Sequence, residues 1–212
     1  MAETLHLPST IFMARRHEDV VVLDVRADRY EGLIDAAAWL DIAPGGGLTV
    51  PDADIARQLM EAGFASADPC PPRPPIPIAQ GDLALPLKTR RTDRLRAFLS
   101  LAAGTAAFRG RALKRLLDEP VPMRSVHAPD RQELGAITAA ARAVAPWVPF
   151  EGECLQRAYL LRRLLRSEGY SPLWIFGVRT WPFGAHCWLQ IDDLVIGDTL
   201  DRVRFYTPIM AA

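Results

Sequence analysis

A proline-rich segment at residues 67–82, ADPCPPRPPIPIAQGD, restricts the fold of this 212-residue chain more than any other feature. Six of the nine residues from Pro69 to Pro77 are proline, which lacks an amide hydrogen and fixes the φ angle. The segment is therefore excluded from a helix interior and from the middle of a sheet. We interpret it as an extended, stiff linker between residues 1–66 and 83–212. The alternative is a proline-rich loop inside a single domain.

The first part of the chain, residues 1–66, has the pattern of a small β-rich module. β-Branched and apolar runs separated by polar turns predict a three-stranded meander over about 10–16, 19–26 and 29–34. DAAAWLDIA predicts a short helix and PGGGLTV a loop. A last helix is expected between an Asp52 cap and Gly63, with Ile55, Leu59 and Met60 along one apolar stripe.

Residues 83–212 change from a helical to an extended period part-way along. Helices are predicted over 90–107, 109–119, 130–145 and 153–168. Four strands are then predicted from PLWIFGVRT, AHCWLQIDD, LVIGD and VRFYTPI. Helices followed by a sheet indicate an α+β domain.

Charge and cysteine content exclude several classes of protein. Lys plus Arg (25) equals Asp plus Glu (25), so no overall charge favours nucleic acid or an anionic membrane. Three widely spaced cysteines do not make a disulfide framework and indicate a reducing compartment. The sequence starts without a signal-peptide pattern, and no apolar run approaches the ~20 residues that cross a bilayer. We therefore expect a cytoplasmic protein.

His186, in FGAHCWLQ, is the candidate general base, and the question is which thiol it activates. On a strand, neighbouring side chains point to opposite faces, so His186 shares a face with Trp188 and Gln190. Cys187 is then expected on the other, apolar face as a small buried residue. Cys70 lies among the prolines, where nothing fixed would activate it. These considerations leave Cys154.

Cys154 is expected in the first turn of a helix, after Pro149 and Gly152, which disfavour helix. The unpaired amides and the dipole at a helix start stabilise a thiolate. Cys154 shares a helix face with apolar residues, which would direct the thiol toward the core and toward a histidine on the sheet. The alternative, that Cys154 is only a buried packing residue, stays open on this evidence.

An aspartate is expected to orient the imidazole. A hairpin from His186 through a turn at Asp192 and Asp193 would return the chain near its starting level, beside Asp198. Asp201 is the nearest rival. The residues lack the spacing of zinc ligands, so no metal is expected.

At these residues the sequence resembles a known family. The stretch ECLQRAYLLRRLLRSEGYSPLWIFGVRTWPFGAHCWLQIDDLVIGD, residues 153–198, is similar to the B protein of lasso-peptide biosynthesis. That protein is a leader peptidase of the transglutaminase-like superfamily. The intervals of 32 residues from Cys154 to His186 and 12 from His186 to Asp198 match the family's triad. The resemblance covers about residues 85–209, and Gln190 stands where the family usually has an acidic residue.

The resemblance implies a papain/transglutaminase-like cysteine peptidase domain with catalytic residues Cys154, His186 and Asp198. In that mechanism Cys154 attacks the bond joining leader to core, His186 moves the proton, and the Cys154 amide donates to the oxyanion. No cofactor is implied for this chain. The implied partners are the precursor peptide and an ATP-dependent lasso cyclase that receives the freed core amine.

Residues 1–66 resemble the PqqD-like leader-recognition element, a small winged-helix-like module, in a shortened form. An extended leader is expected to add at the open edge of the third strand. The residues expected to contact the leader are Arg29, Tyr30, Leu33, Ile34, Ile55 and Leu59. The alternative is that this module only packs on the peptidase.

Two other functions fit the same residues. A transglutaminase or amidase would share the thioester chemistry and differ in the acceptor. A peptide-binding scaffold would carry an inert Cys154 whose alkylation rate does not depend on pH. The nature of the product and the reactivity of the thiol distinguish these functions from a peptidase.

Overall fold

The computed structural model describes residues 3–119, 128, 130–148 and 153–212. The chain divides into two compact units. The first comprises residues 1–76, 177–185 and 207–210, and the second residues 77–176, 186–206 and 211–212. No helix in the described part of the chain is both long and apolar enough to cross a membrane.

The amino-terminal 61 residues contain six strands and one α-helix within the described range. They are β1 (Glu3–His6), β2 (Ile11–Arg16), β3 (Asp19–Asp24), β4 (Arg29–Leu33), β5 (Asp41–Ile42), β6 (Gly47–Val50) and α1 (Ala53–Glu61). The predicted meander is confirmed as an antiparallel sheet of order β2-β3-β4. A short 3-10 helix, Ala36–Ala38, stands where a helix was predicted. Among the described residues β4 pairs with β3 alone, which makes it an edge strand of that sheet.

The prediction of only three strands in this module is wrong, since β1, β5 and β6 form a second sheet, and PGGGLTV is in part a strand and not only a loop. Its glycines do form a turn, with φ +96° at Gly45 and +97° at Gly46. The residues after the turn enter β6, which lies between β1 and β5 in a second sheet. Leu48 and Val50 are each 1 % exposed and alternate with exposed Thr49, so the stretch carries the two-residue period of a half-buried strand.

Helix α1 closes the core of the first unit. The Asp52 carboxylate caps it by accepting from the Asp54 and Ile55 amides, as its position predicted. Ala56 and Leu59 are buried against apolar residues of both sheets, while Met60 stays 39 % exposed. The helix thus uses its apolar face to complete a core.

The helices of the second unit agree with the predicted spans to within a few residues. They are α2 (Arg91–Phe108), α3 (Leu113–Leu117), α4 (Arg131–Val144) and α5 (Cys154–Ser167). The Asp130 carboxylate caps α4 through the Gln132 and Glu133 amides. Helix α2 packs on both α4 and α5, and Gly104 lets it approach α5 closely. A Cβ at Gly104 would lie 2.6 Å from Leu160 Cδ2.

The remaining strands form one five-stranded sheet of order β11-β8-β9-β10-β7. They are β7 (Gly81–Asp82), β8 (Leu173–Arg179), β9 (Gly184–Ile191), β10 (Leu194–Ile196) and β11 (Thr207–Ala211), with α6 (Leu200–Val203) before the last strand. Helices preceding a sheet confirm the predicted α+β class. The predicted strand VRFYTPI is displaced, because Leu200–Val203 forms a helical turn and the strand begins only at Thr207.

The proline-rich segment has no helix or strand before Gly81. Its first part is held within the first unit by Arg73, which donates to the Pro8 carbonyl at 2.7 Å and lies 4.1 Å from the Phe12 ring centroid. Its second part belongs to the second unit, where the Pro77 carbonyl accepts from Gln190 Nε2 at 2.8 Å. The segment is therefore tethered in each unit.

Candidate active site

Helix α5 begins at Cys154 and thereby places a thiol in its first turn. Glu153 is extended and no side chain caps the helix start. The first amides of a helix have no partner within the helix, and their partial charge favours an anion there. Cys154 is half-buried. The expected effect of Pro149 and Gly152 on the helix start falls on residues outside the described ranges.

Strand β9 and the turn after β10 bring His186 and Asp198 together. His186 Nε2 lies 2.5 Å from Asp198 Oδ2, and only 3 % of the His186 side chain is exposed. The other carboxylate oxygen of Asp198 accepts from the Thr199 amide at 2.8 Å. Asp201, the rival, is an exposed residue in the first turn of α6. The imidazole of His186 is thus hydrogen-bonded to Asp198 and not to Asp201.

The electrostatic environment of Cys154 favours a thiolate. Hydrogen bonds from the Cys187 side chain and then from the His186 side chain lower the pKa of Cys154 to about 4. Burial opposes them with an effect smaller than either side-chain hydrogen bond, and a hydrogen bond from the Cys187 amide and the charge of His186 lower the pKa a little further. Cys154 and His186 therefore lie in contact, and the thiol has the acidity of an activated nucleophile.

The position predicted for Cys187 is half right. Its side chain is 4 % exposed, as expected of a buried residue. The prediction that it lies apart from the site is wrong, because Cys187 forms hydrogen bonds to Cys154 through both its side chain and its backbone amide. Strand alternation separates His186 from Cys187 across the sheet, but Cys154 lies against the backbone between them and reaches both. The bond to Cys154 and burial raise the pKa of Cys187, which keeps it a protonated donor.

The protonation of His186 and Asp198 reflects their mutual bond. Burial alone would lower the pKa of His186, but hydrogen bonds to Asp198 and Cys154 outweigh burial and raise it above its ordinary value. Burial would raise the pKa of Asp198, but the His186 bond and the Thr199 amide outweigh it and hold this pKa low. The favoured protonation state is therefore a Cys154 thiolate, a His186 imidazolium and an Asp198 carboxylate, each in contact with the next.

Aromatic side chains fix the imidazole ring in place. The ring centroids of Trp188 and Tyr206 lie 6.1 Å and 5.1 Å from that of His186. Trp188 Nε1 donates to Gln190 Oε1 at 3.3 Å, which confirms that these two predicted same-face residues are neighbours. Gln190 is 1 % exposed, and its amide also donates to the Pro77 and Asp192 carbonyls. Gln190 thus supports the strand.

Gly197 is a site-forming residue that the sequence analysis missed. It immediately precedes Asp198 and has φ +77°, a conformation that favours glycine. A Cβ at this position would lie 2.5 Å from Cδ2 of Leu161. The glycine therefore allows both the turn that carries Asp198 and the close packing of α5 on it. The GD pair after an apolar strand was the available signal.

The residues predicted to contact a leader all lie in the first unit, in differing environments. Arg29 forms an ion pair with Glu31, Tyr30 packs on Phe183, Leu33 and Ile55 are partly buried, Ile34 is 56 % exposed and Leu59 is 5 % exposed. Arg29, Tyr30, Leu33 and Ile34 lie on or next to the edge strand β4, whereas Ile55 and Leu59 lie on α1. Leu59 is part of the hydrophobic core and offers no surface to a peptide, because α1 must bury this side chain to cover the sheets.

A cavity of about 530 Å³ opens beside Cys154, His186 and Asp198 within the second unit. Residues from α2, α4, α5, β9 and β10 line it. Its size is that of a site for a small molecule or a peptide side chain. Among the described residues, no three His, Cys, Asp or Glu side chains are grouped to hold a metal ion.

The comparison with known families concerns the part of the chain that holds these residues. Residues 95–211, more than half of the chain, match the family profile described as the transglutaminase-like superfamily. The chain belongs to the transglutaminase-like superfamily. Members of this superfamily are typically cysteine-dependent enzymes.

A curated relative is similar over a shorter stretch. The microcin J25-processing protein McjB of Escherichia coli is 39 % identical over 49 residues, which are 23 % of this chain and 24 % of that protein. The aligned part thus spans about a quarter of that relative. No solved structure matches the chain.

Proposed function

We propose that this chain is a cysteine peptidase that removes the leader from a lasso-peptide precursor. The observation that carries the proposal is the contact of Cys154, with a pKa of about 4, with an imidazole bonded to Asp198. A packing cysteine needs neither a thiolate nor a charged histidine. The partial similarity to a microcin-processing protein supports peptide maturation as the purpose of this chemistry.

In the proposed reaction the Cys154 thiolate attacks the carbonyl carbon of the scissile peptide bond. Because Asp198 occupies Nε2 of His186, Nδ1 is the ring nitrogen left to give a proton to the leaving amine. The C–N bond then breaks, the core peptide leaves as an amine, and the leader stays as a thioester on Cys154. Water, deprotonated by the now neutral imidazole, hydrolyses the thioester and restores the thiolate.

The start of α5 also provides for the oxyanion formed during attack. The Cys154 amide lies in the first turn, where it has no helical partner, and can donate to the carbonyl oxygen as it becomes negative. Asp198 holds the imidazole in one tautomer and stabilises its charged form. No cofactor takes part in this sequence of steps.

The first unit is proposed to bind the leader. Strand β4 is an edge of its sheet, so an extended peptide can add there through main-chain hydrogen bonds. Ile34, exposed immediately after β4, offers an apolar contact beside that edge. A leader bound there is on the same chain as Cys154, which raises its effective concentration.

The proposed partners are the precursor peptide and an ATP-dependent cyclase that uses the core amine released by cleavage. The proposed location is the cytoplasm, because the reaction requires a reduced Cys154 and the three cysteines are free thiols. ATP is consumed by the cyclase and not by this chain.

The test is to incubate the protein with the precursor peptide encoded beside its gene and to identify the products by mass spectrometry. We expect two fragments, a leader with a free carboxylate and a core with a free amine, and none with Cys154→Ala. A parallel reaction with an added primary amine separates hydrolysis from transglutaminase chemistry, in which the leader would gain the mass of the amine. An intact precursor with the wild-type protein would refute the peptidase.

A further inference from the structure

The cavity beside Cys154 has an apolar interior. Its buried apolar wall comes mainly from three helices and two strands and includes Leu101, Ala141, Ala158, Leu160, Leu189 and Ile196, and Gln156 is a buried polar residue beside them. Thr138, 2 % exposed, also lines the cavity.

The mouth of the cavity is cationic. Arg142, Arg157 and Arg202 line it from three different helices and are exposed, which places them at the opening. Asp198 is the single carboxylate among the described residues of the lining; its oxygens are hydrogen-bonded to His186 and Thr199, and its charge also interacts with Arg202. Guanidinium groups thus outnumber carboxylates at the mouth, which favours an anionic ligand there.

We propose that the cavity binds an apolar side chain of the substrate peptide and that Arg142 and Arg202 bind a carboxylate next to it. This inference rests on the proposed peptidase function and specifies its substrate. A volume of about 530 Å³ holds a leucine- or phenylalanine-sized side chain with room for adjacent backbone. Because Cys154 and His186 line the same cavity, the inserted side chain lies beside the scissile bond.

The carboxylate has two possible sources. One is an acidic residue that neighbours the apolar residue in the precursor. The other is the new terminus of the leader, which hydrolysis creates next to Cys154 and which would make the leader a product inhibitor. Both sources present the same chemistry to the arginines.

The experiment measures how small ligands slow the alkylation of Cys154 by iodoacetamide in the full-length Cys70→Ser protein, followed by mass spectrometry. The probes are N-acetyl-leucine, N-acetyl-alanine, N-acetyl-leucinamide and N-acetyl-Asp-Leu-amide. N-acetyl-leucine should protect at concentrations about 10-fold lower than N-acetyl-alanine, because the larger side chain fills the apolar wall. N-acetyl-leucine should also protect at concentrations roughly 2- to 5-fold lower than the uncharged N-acetyl-leucinamide for each arginine that binds its carboxylate.

Variants test the arginines. Arg142→Gln and Arg202→Gln should each reduce the advantage of N-acetyl-leucine over leucinamide. Arg131→Gln is the matched control, since Arg131 is exposed on the same helix as Arg142 but does not line the cavity. Protection by N-acetyl-leucine alone would identify the leader terminus as the carboxylate, and protection by the Asp-Leu amide would identify an acidic residue.

Equal protection by the leucine and alanine probes would overturn the apolar subsite. A carboxylate advantage that is unchanged in both cavity variants would overturn the role of the arginines. Protection requires no peptide cleavage, so this experiment fails independently of the proposed function. A protein that shows selective protection but leaves the precursor intact would contradict the peptidase proposal and not the subsite.

Discussion

Replacing Gly197 by alanine should damage the site through backbone strain and a steric contact with Leu161. At φ +77° an L-residue is strained by about 1–2 kcal/mol. The added Cβ would also lie 2.5 Å from Leu161 Cδ2, an overpacking that costs about 1–3 kcal/mol. The sum, about 2–5 kcal/mol, is an upper limit because the partly buried Leu161 side chain can move, and the part relieved by movement of the turn carries Asp198 away from His186.

Gly110 supplies the matched control for this substitution. It lies in the same unit at φ +66°, and a Cβ there would meet no atom within 4 Å. Gly110→Ala should therefore lose only the conformational part, about 1–2 kcal/mol, and keep its cleavage rate. Gly197→Ala should lose more stability in urea unfolding and should also slow single-turnover cleavage of the precursor.

A double-mutant cycle with Leu161 isolates the steric part. Removing the Leu161 side chain eliminates the close contact, so Gly197→Ala in a Leu161→Ala background should cost only about 1–2 kcal/mol. The cleavage rate should recover partly in the double variant. Equal losses for Gly197→Ala and Gly110→Ala in both stability and turnover would refute the reasoning, because the contact with Leu161 would then have no consequence.

Other predictions concern the reacting groups. Cys154→Ala should abolish leader removal while Cys70→Ser keeps most activity, as measured by mass spectrometry of the precursor. Alkylation of Cys154 should increase as pH rises through about 4 and then stay level toward neutrality. In Cys187→Ala this increase should move to higher pH, because the largest contribution to the low pKa is lost; an unmoved profile would contradict that role. Asp198→Asn should lower the pKa of the His186 imidazole and thereby move the alkaline limit of the cleavage pH profile downward. It should also reduce turnover strongly, whereas Asp201→Asn should reduce turnover only mildly. The opposite ranking would assign the orienting role to Asp201.

The parts of the fold that depend on local pattern could be predicted from the sequence. The meander over β2–β4 and the spans of α2, α4 and α5 follow from apolar periodicity and caps such as Asp130. β1, β5 and β7 were missed because each has four residues or fewer and is defined by its partner. β6 was missed for a different reason, since three consecutive glycines obscured the alternation that follows them.

The candidate site shows the same division between local and long-range information. The first turn of α5, strand β9 and the turn before Asp198 each have a local signature, so the three chemical groups could be named from the sequence. Cys187 could not be assigned to the site, because strand alternation gives the direction of its side chain but not the position of α5. Gly197 depends on Leu161, a residue on another element, and its role emerges only when both are placed.

The low pKa of Cys154 arises from this long-range arrangement more than from the helix start. A helix terminus carries a diffuse partial charge, and solvent screens this charge at a half-buried site such as Cys154. The bonds from Cys187 and His186 are short-range and come from buried residues on β9. A sequence with the same helix start but another residue at 187 would keep the nucleophile and the base and lose part of the thiolate stabilisation. Cys187, the cysteine beside the histidine in FGAHCWLQ, therefore lowers the pKa of the thiol, while Cys154 is the thiol that reacts.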